Sequence, residues 1–343
     1  MKISEAQALW EPVGVYCNTA SYGLPPKPGW EALQSALADW HGGRTSWEEW
    51  GQSTETARAV FARLVGVETD QVAVASTVSE LVGSIVTALP DGARVVVPDI
   101  EFTSTLFPLL VQPRLDVRTV APSQLAEAVA AGADAVAFSA VQMSTGEVAD
   151  QDAILAAADD VGAITICDAT QALGWLPLEA ARFDAVVCGT YKWLMSPRGS
   201  AFLAISDRLL DKAVPHSAGW FAGEDVHASY FGPPLRLASS ARRLDLSPAW
   251  FSWVGTQPAL ELIERVGIDA IHSHDVGLAN RFRAGIGLEP SNSAIVCADL
   301  PGAAERLQRA GIIAAVRGGL LRTSWHLYND EGDVDLVLAA VRG

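Results

Sequence analysis

Nothing in this sequence marks a disulfide-stapled, metal-binding or nucleic-acid-binding chain. Its four cysteines (Cys17, Cys167, Cys188, Cys297) are scattered, with no CxxC pair and no Cys/His cluster at metal-ligand spacing. Neither a disulfide framework nor a metal centre is therefore expected. Cys167, Cys188 and Cys297 each sit in a short apolar run and read as buried strand thiols. Basic residues are outnumbered: 24 Lys and Arg stand against 40 Asp and Glu, a formal net charge of −16. That balance argues against nucleic acid and anionic membrane surfaces as partners. No apolar run reaches membrane-spanning length, and Met1-Lys2-Ile3-Ser4-Glu5 lacks the apolar stretch of a signal peptide. A reducing cytoplasm is the expected location. Internal repeats and low-complexity tracts are absent as well.

Half of the 343 residues are hydrophobic and 19% are charged, the composition of a globular chain long enough for two domains. Short apolar runs at 72–75, 94–97, 117–120, 135–141, 163–167, 185–188 and 201–205 alternate with helical stretches such as 123–131 and 152–160. Several runs are apolar throughout, as strands covered on both faces must be. The pattern predicts a doubly wound α/β domain with a largely parallel sheet. Upstream, 28–40 and 54–65 read as helices. Residues 213–255 are rich in Pro, Gly, Trp and Ser and read as a long crossing segment lining a site. Helices at 258–265 and 268–284 follow. Strands at 293–297, 312–316 and 320–324 then alternate with helices at 302–310 and 331–341, the pattern of a small α+β domain.

The chemistry-bearing residues cluster at predicted strand ends. Asp168 ends an apolar strand, where open α/β folds place their ligands, although an Asp at a strand-to-helix turn is also a common N-cap. Lys192 follows the next strand and is flanked by Tyr191 and Trp193, an apolar setting that lowers an amine's proton affinity. An Asp that keeps a pyridine nitrogen protonated and a Lys that forms a Schiff base are what pyridoxal 5'-phosphate (PLP) requires. Gln171 is placed to reach the phenolic oxygen of the same ring, and Thr190 to offer a hydroxyl to the phosphate. The stretch Ala75-Ser76-Thr77-Val78-Ser79-Glu80 opens an apolar helix, whose free N–H groups make a phosphate cradle. Neither GxGxxG nor GxxxxGK[ST] occurs there, so a dinucleotide or nucleoside triphosphate is not expected. Phe102 either stacks on a flat ring or belongs to the core. Arg322, inside an apolar strand, needs an anion: a substrate carboxylate or a structural partner.

Taken in chain order, these segments resemble the class V aminotransferase family of fold-type I PLP enzymes, which includes kynureninases, isopenicillin N epimerase-like proteins and cysteine desulfurases. Asn18-Thr19-Ala20-Ser21-Tyr22-Gly23-Leu24-Pro25-Pro26 resembles the family's N-terminal segment, with Asn18 and Ser21 near the substrate. Thr77-Val78-Ser79-Glu80 resembles its phosphate loop, Ser79 being the phosphate contact. Phe102 stands where many members carry His and the kynureninase-like branch carries Phe. Ser139-Ala140-Val141-Gln142-Met143-Ser144-Thr145-Gly146 resembles a cofactor- or substrate-contacting loop, with Gln142 as the contact. Asp168-Ala169-Thr170-Gln171 and Thr190-Tyr191-Lys192-Trp193 match the pyridine-nitrogen and Schiff-base motifs, with Tyr191 in place of the usual His. Gly255-Thr256 resembles a pair that reaches the phosphate of the neighbouring subunit, which implies a homodimer sharing its active sites. Arg322-Thr323-Ser324-Trp325-His326-Leu327-Tyr328-Asn329-Asp330-Glu331 resembles the C-terminal signature, with Arg322 as carboxylate binder.

The resemblance implies a fold-type I architecture: a large PLP-binding domain (21–245) with a seven-stranded, mostly parallel sheet, and a small α+β domain (1–20 and 246–343). It implies one antiparallel strand in the large sheet. The expected activity is on an α-amino acid, with Arg322 holding the carboxylate and Lys192 removing the α-proton. Transamination, loss of a β-substituent (a Cβ–S lyase, for example) and epimerisation remain open as outcomes, with transamination leading. The residues 311–321 hold no cysteine, against a desulfurase of the usual kind. Trp220, Trp250, Trp253 and Trp325, among eleven tryptophans, and His216 point to a large or aromatic substrate if the fold brings them to the cleft.

Overall fold

The structure, a computed structural model, describes residues 1–342. Its main sheet contains β1 (Val72–Ala75), β2 (Arg94–Pro98), β3 (Asp116–Val120), β4 (Ala135–Ser139), β5 (Ile164–Asp168), β6 (Ala185–Gly189) and β7 (Ala201–Ile205). These match the seven apolar runs of the sequence to within a residue or two. They are arranged in the order β1-β7-β6-β5-β4-β2-β3. Only β7 runs against its neighbours, pairing antiparallel with both β1 and β6. The strands β4, β6 and β7 are buried along their whole length, because helices cover both faces. At the edge, β3 is largely exposed and carries the charged residues Asp116 and Arg118, the kind of side chain that discourages edge-to-edge pairing.

A second sheet, antiparallel, holds β8 (Ile295–Ala298), β9 (Ala315–Arg317) and β10 (Leu320–Ser324) in the order β8-β10-β9. The N-terminal segment joins it through bridges from Tyr16 to Ile313 and from Asn18 to Ser324. Cys17 secures both, its N–H donating to the Ile313 carbonyl (2.9 Å) and its carbonyl accepting from Ser324 N–H (2.9 Å). The fold class read from the sequence thus holds, including the single antiparallel strand.

Helix boundaries differ where proline or tryptophan misled the pattern. The helix expected at 258–265 begins earlier and spans Trp250–Val266, with Pro258 inside it rather than at its start. It packs along Lys27–His41 and Trp47–Val65. The helix Thr103–Leu110 was not anticipated, and it too contains a proline, Pro108. Residues 213–249 form short 3-10 turns rather than a lining for the cleft described below.

That segment is tied to the main sheet by a buried ion pair. Arg58 donates to both carboxylate oxygens of Asp245 (3.1 and 2.7 Å) and to the Val72 carbonyl (2.6 Å). Asp245 also accepts from Val74 N–H (2.8 Å), so it fastens the edge strand β1. Both side chains are almost fully buried. Burial pushes the Asp245 carboxyl up to about 6 against the opposing pull of Arg58. Removing one partner of such a pair strands the other charge in the core. Asp245→Ala should therefore lower unfolding free energy by about 3–5 kcal/mol, measured as a shift of the urea midpoint at constant m-value. A loss below about 1 kcal/mol would show the pair to be dispensable.

Candidate active site

Parallel strands end at the same edge of a sheet, and that edge gathers the polar residues of this protein. Asp168 closes β5, and Lys192 follows β6 after a short turn. Phe102 precedes the helix after β2, Met143 follows β4, and the helix Val78–Val86 starts just after β1. Together with Ser76, Thr77, Ser104, Ser139, Thr170, Gln171, Tyr191, Arg198 and Ser200 they line one cleft.

Lys192 is the centre of this cleft. It is 5% exposed, and its Nζ lies 5.3 Å from the Phe102 ring centroid and 5.5 Å from that of Tyr191. Burial, with smaller help from Arg322 and Arg198, lowers the amine to about 8, while Asp168 pulls the other way. The carboxylate of Asp168 is itself oriented: Oδ2 accepts from Thr105 Oγ1 (3.0 Å) and Oδ1 from Thr170 N–H (2.8 Å).

The Lys192 turn is over-determined by its neighbours. Gly23 N–H donates to the Tyr191 carbonyl (3.0 Å), and a Cβ on Gly23 would lie 1.9 Å from the Lys192 carbonyl oxygen. Only glycine fits there. Met195 adopts φ +52°, a left-handed conformation that costs a non-glycine residue about 1–3 kcal/mol. His326 Nε2 bonds the Trp193 carbonyl (2.9 Å), while its Nδ1 faces Asp275 (2.6 Å). A carbonyl only accepts, so Nε2 carries a hydrogen. Trp193 in turn donates its indole N–H to Gln171 Oε1 (2.8 Å).

A second cation lies beyond Met143. Arg322 is 1% exposed and donates to the Met143 carbonyl (2.8 Å) and to Ser21 Oγ (2.7 Å). Its Nε has no acceptor, nor does the buried Asn18 Oδ1 have a donor. No carboxylate among the described residues pairs with this guanidinium. Burial therefore pulls it down to about 10, below the usual arginine range.

Comparison with known proteins bears on what such a cleft does. The Aminotransferase class-V family model matches residues 33–299. The chain belongs to the class V aminotransferase family. It is 27% identical to an uncharacterized aminotransferase, YcbU, of Bacillus subtilis (strain 168), over 84% of this chain and 83% of that one. It is also 27% identical to a kynureninase of Deinococcus radiodurans, over 78% of this chain and 70% of the other. Among solved structures, the cystine C-S lyase C-DES superposes with a TM-score of 0.84 at 18% identity, covering 96% of this chain and 97% of that one. The likeness shows a shared fold. The family resemblance read from the motifs is thereby borne out, and with it the family's cofactor, PLP.

Against the family's motifs, the structure gathers some expected residues and displaces others. Thr77, Val78, Phe102, Asp168, Gln171 and Lys192 all line the cleft. Gln171 spends one amide hydrogen on the Ala20 carbonyl (2.9 Å) and keeps the other. Ser79 is exposed and faces a separate groove with Phe107 and His216. Gln142 does not reach the cleft: its amide donates to the buried Glu101 (3.0 Å), and Met143 takes its place. Thr190 turns away to bond Ser200 (2.6 Å to its hydroxyl), and Ser200 lines the cleft instead. Gly255 and Thr256 point inward. Both are buried within their own chain; Gly255 leaves no room for a Cβ beside Pro197, and Thr256 bonds Ser200 (2.8 Å) and the Ser252 carbonyl (2.8 Å).

The tryptophans also fall elsewhere. Trp253 and Trp325 are core residues, while Trp220 and Trp250 pack with Trp47 in a cluster outside the cleft. No motif in the sequence singles out Arg198, which lines the cleft, or the buried Thr105, which bonds Asp168. Arg198 has no ion-pair partner among the described residues and stacks on Tyr191 at 5.0 Å.

The depressed amine has a direct test. In cofactor-free protein, acylation of Lys192 by a small anhydride should reach half its plateau rate near pH 8, because only the neutral amine reacts. A lysine model peptide mixed in as an internal reference is half-neutral at about 10.4. Site-resolved mass spectrometry across pH reads both; equal midpoints would remove the special character of Lys192.

Proposed function

We propose that this protein is a PLP-dependent enzyme acting on an α-amino acid through Lys192, with transamination as its reaction. The observation that carries the reading is a buried amine held near 8 in one cleft with a fixed carboxylate, Asp168.

The cleft fits the cofactor. Phe102 offers a flat face beside Lys192, and Asp168 an oriented carboxylate for a pyridine N–H. The backbone N–H groups of Val78 and Ser79 open a helix with no intrahelical acceptor, and a phosphate is their natural partner. Arg198 and Ser200 add a cation and a hydroxyl on the same wall. Bound PLP supplies an electron sink for the pair left on the substrate's α-carbon. The protein's own residues do the rest. Arg322 binds the α-carboxylate, with Ser21 and Asn18 beside it, and so orients the α-hydrogen. Lys192 Nζ takes that proton and returns it, which an amine near 8 performs at neutral pH. Gln171 places its remaining N–H against the ring oxygen.

The reading includes two further elements. One is a division into a large domain, 21–245, and a small one, 1–20 and 246–343, with the helix Trp250–Val266 as their joint. The other is a homodimer. Phe107 and Val111 are exposed (55% and 69%) and line a groove that shares Ser104 with the cleft, so a second copy seated there would border the active site. Val111→Glu should convert a dimer to monomers, read by light scattering; a monomer in the unaltered protein would remove this element. No helix among the described residues is long and apolar enough to cross a membrane, and we assign the enzyme to the cytoplasm.

Usual desulfurase chemistry is not part of the proposal. Cys297 sits on β8, its thiol donating to the Ser144 carbonyl (3.3 Å), and burial raises its pKa. A persulfide carrier needs a mobile, readily ionised thiol.

Product analysis decides the reaction. Incubated with single amino acids and no keto acid, a transaminase releases at most one equivalent of keto acid per site. Continued release of keto acid with ammonia would replace transamination by β-elimination. Lys192→Ala should reduce turnover by at least about 10³-fold; near-normal activity would end the assignment.

A further inference from the structure

Two arginines converge on one hydroxyl beside the cleft. Ser21 Oγ accepts from Arg322 Nη2 (2.7 Å) and from Arg317 Nη2 (3.2 Å). Strand register explains the convergence. Arg317 ends β9 directly opposite Leu320 of β10, and Leu320 and Arg322 share one face of that strand. Arg317 and Arg322 are thus diagonal neighbours on the same face of the small sheet.

Neither guanidinium has a carboxylate partner among the described residues. This is notable in a chain with 40 acidic residues against 24 basic ones, where counter-ions are in surplus. The pair repels itself: after burial, the Arg317 charge is the next cause of the lowered Arg322 pKa. An α-carboxylate on the buried Arg322 uses one of the two cations. Arg317 remains on the solvent side of Ser21, on an exposed hairpin whose turn is Gly318-Gly319, both at positive φ. Its Nη1 donates only to the adjacent Val316 carbonyl (2.8 Å). The tryptophans that would favour a large apolar substrate are elsewhere, since Trp220, Trp250, Trp253 and Trp325 do not line the cleft.

We propose that the substrate is a dicarboxylic amino acid, its α-carboxylate on Arg322 and its side-chain carboxylate on Arg317, with Ser21 spacing the two guanidinium groups. Arg317 is then a specificity-determining residue. The proposal rests on the reading of the cleft as an amino-acid site and names the class of amino acid it takes.

Titration calorimetry of the holoenzyme with succinate and with propionate tests the second anion site without turnover. Succinate should bind at least about tenfold more tightly than propionate, and Arg317→Gln should erase that margin while Arg317→Lys keeps most of it. In turnover, the ratio of kcat/KM for aspartate or glutamate to that for alanine should fall by about tenfold or more in Arg317→Gln. Equal binding of succinate and propionate would overturn the proposal. So would an equal loss of both in Arg317→Gln, which would mean that the two arginines clamp a single carboxylate. If no amino acid is turned over but the succinate margin and its loss are seen, the reaction is misassigned and the dicarboxylate site stands. If amino acids are turned over with no acidic preference, the dicarboxylate site alone fails.

Discussion

The structure turns on keeping one amine, Lys192, buried without a full counter-ion. A lysine costs free energy when removed from water, and it holds its place only if the surrounding backbone cannot relax. Here the constraint comes from several sides at once. The N-terminal segment presses Gly23 against the Lys192 carbonyl, the C-terminal segment supplies His326 to the Trp193 carbonyl, and Gln171 receives the Trp193 indole. These contacts join parts of the chain that are far apart in sequence. They also explain why Met195 can remain in a left-handed conformation.

The electrostatics of the cleft follow from the same tension. The protein is strongly acidic, yet Lys192, Arg198, Arg317 and Arg322 approach this region without forming ion pairs among the described residues. Elsewhere a buried cation is neutralised at close range, as Arg58 is by Asp245. A folded chain that leaves several cations uncompensated in one place has a strong field for anions there. A phosphorylated cofactor is a ligand that such a field selects. The fixed carboxylate of Asp168, bonded by Thr105 and Thr170, prevents the site from being uniformly positive.

Much of this architecture was legible in the residues. Strands buried on both faces must be apolar throughout, so β1, β4, β6 and β7 stood out. Asp168 and Lys192 stood out for the converse reason, as charged residues at the ends of such runs. Helices were less legible where a local rule had two readings. Proline favours a first turn, yet Pro258 and Pro108 lie inside helices, and the starts at Trp250 and Thr103 were missed. Gly255-Thr256 matched a motif by identity, but its place in a buried helix turns both residues inward.

The sequence by itself determined the fold class, because hydrophobic periodicity acts locally along the chain, while its motifs carried the family resemblance and the two residues at the centre of the cleft. Only the tertiary structure decided which polar neighbours face inward. Gln142 or Met143, Thr190 or Ser200, and the position of each tryptophan differ by a rotation of the backbone or by a partner distant in sequence. The meeting of Arg317 and Arg322 is of the same kind. It depends on the register between β9 and β10 and on Ser21 arriving from the other end of the chain, and neither is written in any single segment.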